Sequence, residues 1–301
     1  MDILVLGGAG QVGTELQALS WPAGVSVHAP VRADLDITDA EAVTAALAAR
    51  DYRVVINTAA YTAVDRAESD VVAAWRLNAL APAILAAATA ARKIPLVHVS
   101  TDYVFAGTKP DGAYTPDAPI DPQSVYGASK AAGELAVRTG NPRHAIVRTA
   151  WVVSPHRGNF VKTMLRLAGE RDALTVVDDQ HGCPTSAADL AAALATIAQR
   201  LARDPGAPTG TFHCVNAGDT TWRGFAEAIV AGAARRGGRS VPVKGIPTSA
   251  YPTPARRPAN SRLSTDSLAA AYGIAPRPWQ AALDDILDRL VGPVTEGVSK
   301  P

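Results

Sequence analysis

The feature that most constrains this chain is a glycine run set directly after its first apolar segment: Ile3–Leu6 leads into Gly7-Gly8-Ala9-Gly10-Gln11-Val12-Gly13. Gly7, Gly10 and Gly13 recur every third residue, and helix-favouring residues follow. Glycine allows a tight turn and a close backbone approach, and free N–H groups at a helix start present partial positive charge. A bare glycine string is also compatible with a simple strand–helix turn. Placed after the first strand and opening a helix, it reads instead as a cradle for a dinucleotide pyrophosphate, with Gly7, Gly10, Gln11, Val12 and Gly13 as its residues.

The rest of the chain has the rhythm that such a turn requires. Apolar β-branched runs at Val25–His28, Val54–Asn57, Leu96–Ser100 and Ile146–Thr149 alternate with Ala-rich segments at Ala40–Ala49, Val71–Arg92, Tyr126–Arg138 and Ala187–Leu201. This order predicts an α/β fold, a Rossmann-type doubly wound parallel sheet, with a smaller substrate-binding domain. The dinucleotide-binding domain is expected over residues 1–155 and about 186–215, and the smaller one over about 156–185 and 216–301. The Pro- and Gly-rich stretch from Ala106 to Gln123 is expected to be a long functional loop.

Composition narrows the partners. With 29 basic against 28 acidic side chains, no charge excess exists to neutralise nucleic acid or an anionic bilayer. Ala79–Ala91 is short, Ala-rich and interrupted by Pro82, so it is expected to be a packed helix and not a span of roughly 20 residues. The N-terminus lacks the basic start of a secretory signal, and a cytoplasmic location is expected. Cys183 and Cys214 form no CxxC pair and are expected to be buried thiols.

Chemistry concentrates in two segments. Tyr126 and Lys130 are four residues apart at the start of a predicted helix, so phenol and ammonium share a face. A nearby cation is expected to favour the phenolate and draw Tyr126 toward neutral pH. The strand Val97–Ser100 ends on Thr101 and Asp102 at the edge where ligands bind, and a hydroxyl there can hold a carbonyl beside the tyrosine. After the second strand, where many dinucleotide folds carry an acid, the chain reads His28-Ala29-Pro30-Val31-Arg32. Arg32 suits a 2′-phosphate, which favours NADPH over NADH; a solvated surface arginine is the other reading.

Together with Leu35-Asp36-Ile37, Asn57–Asp65, Ser100–Phe105, Arg148–Val152, Asn159-Phe160, Asp178–Thr185, Pro247–Pro258 and Asn260-Ser261, these segments resemble the extended short-chain dehydrogenase/reductase family over nearly the whole chain. The resemblance implies an NAD(P)H-dependent reduction of the C4 ketone of dTDP-4-dehydro-6-deoxy-L-mannose to dTDP-L-rhamnose, a step toward cell-surface polysaccharide. It implies Tyr126 as proton donor, Lys130 as its partner and ribose ligand, and Thr101 as the hydroxyl on the C4 carbonyl. Asp36, Ile37, Ala59, Ala60 and Thr62 would line the cofactor with the glycine turn. Asp102, Trp151, Asn159, Arg257 and Asn260 would face the dTDP-sugar. Magnesium has been associated with members of the family, and Glu15 and Asp189 are the acids at matching positions; a homodimer is left open.

Three alternatives share parts of this pattern. A 4,6-dehydratase would need a further carboxylate after Thr101-Asp102, where this chain has Tyr103. A 4-epimerase would not consume reductant. A non-catalytic regulatory subunit of the methionine adenosyltransferase type would not require Thr101, Tyr126 and Lys130 together.

Overall fold

The computed structural model describes residues 1–294. Its elements, in chain order, are β1 (Asp2–Leu6), α1 (Gln11–Ala18), β2 (Ser26–His28), α2 (Ala40–Ala48), β3 (Tyr52–Asn57), α3 (Val64–Ala67), α4 (Val71–Trp75), α5 (Ala81–Ala91), β4 (Leu96–Thr101), α6 (Val125–Gly140) and β5 (His144–Thr149). Then come β6 (Val152–Val153), α7 (Phe160–Glu170), β7 (Leu174–Val177), β8 (His181–Gly182), β9 (Thr185–Ser186), α8 (Ala187–Arg203), β10 (Gly210–His213), β11 (Thr220–Thr221), α9 (Trp222–Ala234), β12 (Val243–Ile246), β13 (Asn260–Ser261), α10 (Asp266–Tyr272) and α11 (Trp279–Leu290).

The main sheet has the order β10-β5-β4-β3-β1-β2, with every pairing parallel. Alternation along each strand sends successive side chains to opposite faces, and both faces are covered. Ile3, Val5, Val54 and Ile56 bury against α1 and α8, while Leu4, Leu6 and Val55 bury against α2 and α5. From β1 the chain steps outward to β2 and then back across to β3. The crevice where this order reverses lies at the carboxyl ends of β1 and β3, which is where such sheets bind ligands.

Strand β10, from the 186–215 segment, adds to the main sheet beside β5. A further core forms where α7, α9 and α11 pack on β7 and β12 through Val161, Phe225, Ile229 and Leu283. Within the stretch allotted by sequence to the smaller domain, α10 behaves differently. Its Leu268 and Tyr272 bury in the core of the main sheet. The expected end of that domain at 301 lies outside the described residues.

The helix expected over Val71–Arg92 forms, but its apolar stretch is longer than the Ala79–Ala91 run singled out within it. The run 71–91 is a single helix of 21 residues, apolar enough by length and composition to cross a membrane. Pro82 does not interrupt it because a five-residue π turn, Arg76–Leu80, precedes it and Pro82 falls in the first turn of α5, where its missing N–H costs least. Ala81, Leu85 and Ala86 bury one side of this helix among side chains that include Leu47 of α2 and Val137 of α6.

Candidate active site

A cavity of about 750 Å3 opens along the carboxyl ends of β1, β3, β4 and β5. Gly7, Gly10, Gln11, Val12, Arg32, Asp36, Ile37, Ala59, Ala60 and Thr62 line it, and so do Thr101, Asp102, Tyr126, Lys130, Trp151 and Asn159. Two glycines are required for its shape. Gly7 has φ +81°, and a Cβ there would lie 2.7 Å from the backbone nitrogen of Ala59. Gly13 lies beneath the turn and not on the cavity wall; its Cβ would be 2.2 Å from the Gly7 carbonyl oxygen, so it sets how closely α1 packs on the turn.

The opposite wall is built on α6. Ser124 caps the helix by accepting from the Gly127 N–H, and Tyr126, Lys130 and Glu134 then follow at intervals of four on one buried face. The Tyr126 ring meets Tyr103 edge-on at 5.4 Å. Beside its hydroxyl, Thr101 Oγ1 donates to Asp102 Oδ1 at 3.0 Å, and Ser261 donates to the other carboxylate oxygen. Lys130 Nζ donates to the Val99 carbonyl at 2.7 Å.

The electrostatics differ from the sequence expectation. Burial first, opposed by the Thr101 hydrogen bond and reinforced by Asp102 and Tyr103, pushes the Tyr126 phenol well above its ordinary range instead of down toward neutrality. Lys130, whose Nζ donates to the Val99 carbonyl, is not among the groups that shift the resting phenol. It is itself drawn down to about 8 by burial, against the pull of Glu134. Asp102 is pushed up to about 6 by burial, with its hydrogen bonds to Ser261 and Thr101 opposing. A phenol that stays protonated is suited to give a proton, not to take one.

Several contributors were not foreseen. Asn78, in the π turn, accepts from the Tyr61 N–H at 2.8 Å and donates to Ser129 Oγ on α6 at 3.0 Å, tying the kinked helix to the catalytic one. The π turn itself is a frequent mark of a functional site. Glu134 and Arg148, both almost fully buried, form a two-pronged pair at 2.8 and 2.7 Å, and Ser100 donates to the same carboxylate at 2.6 Å. The i+4, i+8 spacing after Tyr126 was the available signal for Glu134. Trp151 stacks on Trp222 at 3.6 Å between ring centroids, with Gly182 leaving room beneath the indole. Thr149 Oγ1 is buried on the cavity wall without a hydrogen-bond partner.

Three predicted residues serve the fold in ways the sequence did not suggest. Asn159 caps α7 and donates to Gln11, Ser154 and His156. Arg257 lies off the cavity, paired with Asp65 and donating to Tyr103 Oη at 3.1 Å. Asn260 is also off it, donating to the Lys109 and Gly112 carbonyls at 3.0 Å each, so it fixes the 106–123 loop. Magnesium does not fit the acids assigned to it. Glu15 is held by Arg289 at 2.7 Å and by His156 at 3.0 Å, and Asp189 by Arg277 at 2.9 Å and by Asn216 at 2.7 Å. Both carboxylates are neutralised separately, and among the described residues no group of three acids, histidines or cysteines is placed to hold a metal.

A dinucleotide does fit. The turn offers backbone that a Cβ would obstruct, and the cavity is long enough to reach from Asp36 to Trp151. Fold and site therefore define a nucleotide-binding oxidoreductase of the short-chain type. Residues 1–291 match the family described as the RmlD substrate binding domain, and the chain belongs to that family. It is 44% identical over 293 residues to the dTDP-4-dehydrorhamnose reductase of Burkholderia thailandensis, covering 94% of this chain and 97% of that one. It is 42% identical over 281 residues to the reductase of the same name from Sinorhizobium fredii, covering 93% and 94%. Among solved structures, the dTDP-4-dehydrorhamnose reductase of Clostridium acetobutylicum superimposes with a TM-score of 0.90 at 38% identity, over 96% of this chain and 99% of that one. The Bacillus anthracis reductase, solved in complex with NADP, gives 0.87 at 32% identity with the same coverage.

Proposed function

We propose that this chain reduces the C4 ketone of dTDP-4-dehydro-6-deoxy-L-mannose to dTDP-L-rhamnose, using NADPH. The observation that carries the reading is the placement of Thr101, Tyr126 and Lys130 on one wall of a cavity whose other wall is the glycine turn, in a chain whose relatives bear that activity in their names. NADPH held along the turn supplies the hydride. Thr101 orients the carbonyl, and Tyr126, kept protonated by burial, gives its proton to the oxygen at C4 as charge develops there. Lys130 stabilises the phenolate left behind. The Trp151–Trp222 stack offers the sugar a broad apolar face.

A dehydratase reading would require a carboxylate base after Asp102; Tyr103, pushed up to about 12 by burial, cannot act as one near neutral pH. The deciding experiment supplies the 4-keto sugar nucleotide and follows NADPH oxidation together with the product by mass spectrometry and NMR. One NADPH consumed per dTDP-L-rhamnose formed is expected. Conversion without net oxidation would establish an epimerase, and bound cofactor without any conversion a regulatory subunit.

Cofactor choice is assigned to Arg32. Its side chain is 85% exposed and only 3.9 Å from Asp36, close to the adenosine end of the cavity and free to meet a 2′-phosphate. Arg32→Ala is expected to reduce the preference for NADPH over NADH by about tenfold, the scale of one exposed charge-assisted hydrogen bond. The ratio of kcat/KM for the two cofactors checks this; an unchanged ratio would remove Arg32 from the recognition.

A further inference from the structure

Behind Lys130 lies a buried polar chain with no part in the scheme above. His98 on β4 and Asn57 on β3 are both fully buried, and adjacent strands bring them together with Asn57 Nδ2 3.1 Å from His98 Nδ1. On its other side His98 presents Nε2 to Lys130 Nζ at 3.5 Å.

The proton positions follow from one unambiguous donor. The backbone N–H of Ala59 can only donate, and it meets Asn57 Oδ1 at 3.1 Å. The amide of Asn57 is thereby oriented, so its NH2 group faces the ring. His98 Nδ1 must then accept. Burial, with Lys130 adding to it, holds the His98 pKa well below its ordinary value, so the ring is neutral and carries a single proton. That proton sits on Nε2.

We propose that His98 is a positioning residue for the reduction assigned above, locked by Asn57 as the Nε2–H tautomer so that a ring N–H, and not a lone pair, faces Lys130. A ring N–H cannot accept from an ammonium, but it can donate to a neutral amine. The tautomer therefore favours the amine form of Lys130 and leaves the Val99 carbonyl as the acceptor that fixes Nζ. The titratable and charged groups around Lys130 are His98 from β4, with Tyr126 and Glu134 from α6 itself, the last paired with Arg148 from β5. Glu134 raises the lysine's proton affinity and burial lowers it, to about 8. Activity that depends on the ammonium is therefore lost as pH rises through about 8.

Two measurements test the tautomer and its consequence. The first is a long-range 1H–15N spectrum of the histidine rings in the full-length 15N-labelled protein, with His98→Gln identifying the signals that belong to His98. An Nε2–H pattern is expected, and an Nδ1–H or doubly protonated ring would overturn the proposal. This spectrum requires no turnover, so it stands or falls separately from the assigned reaction. The second uses Asn57→Asp, whose carboxylate would accept from both Ala59 N–H and Nδ1–H and turn the Nε2 lone pair toward Lys130. The alkaline limb of kcat is then expected to move up by about half a unit or more. A limb that moves while the ring keeps its Nε2–H pattern reports only the charge of the new carboxylate and would overturn the proposal, as would an unmoved limb in a folded, NADPH-binding variant with a reversed ring pattern.

Discussion

Tyr126→Phe is expected to lower kcat by about a hundred- to ten-thousandfold, the range associated with loss of a positioned general acid. The substitution removes only the hydroxyl. The ring keeps its edge-on contact with Tyr103 and its place among Ala67 and Ala74, so the wall of the cavity is preserved. NADPH binding, followed by fluorescence, and thermal unfolding should stay close to wild type while NADPH oxidation with the 4-keto sugar nucleotide nearly stops. Because burial holds the wild-type phenol protonated throughout the neutral range, loss of wild-type activity near pH 8 is expected to follow Lys130 and not Tyr126. Vigorous turnover by the Phe variant would overturn the assignment of the acid.

The largest effect on stability is expected from Arg148→Ala. Both partners of the Arg148–Glu134 pair are 1% exposed, and Arg148 also donates to the Pro116 carbonyl and lies over the Phe105 ring. Without the guanidinium, Glu134 keeps the Ser100 hydroxyl, the charge of Lys130 one turn back and a distant, half-exposed Arg138 at 3.9 Å. Breaking a buried pair by removing one partner costs about 3–5 kcal/mol, because a desolvated charge is left uncompensated. Urea denaturation of both proteins measures this. A loss below about 1 kcal/mol would mean that Glu134 is neutral or hydrated once alone, and that the pair does not anchor α6.

The phosphate turn, the sheet and the face of α6 were legible in the sequence because each rests on local rules. Glycine spacing, β-branched runs and an i, i+4 pair depend on residues a few positions apart. What could not be read are the contacts made across the sheet. Asn57 and His98 are 41 positions apart and meet only because β3 and β4 are neighbours in register. Trp222 reaches Trp151 from the start of α9, far along the chain. Arg257 and Asn260 were expected to face the substrate from residue type and position. The structure engages them instead with Asp65 and with the 106–123 loop, at separations of more than 140 residues. The phenol's proton affinity is hidden for the same reason: spacing along a helix gives proximity to Lys130, but not the burial by other elements that dominates the shift.

The shared face of α6 has one further consequence. Acid, cation and carboxylate anchor stand on consecutive turns of a single helix, and the anchor is gripped from β5 by Arg148. Rotating or sliding that helix by one residue would carry acid and cation away from the cleft together and break the anchor behind them. A molecule assembled with the helix out of register is thus silent; it does not become an indiscriminate catalyst that spends reductant on stray carbonyls.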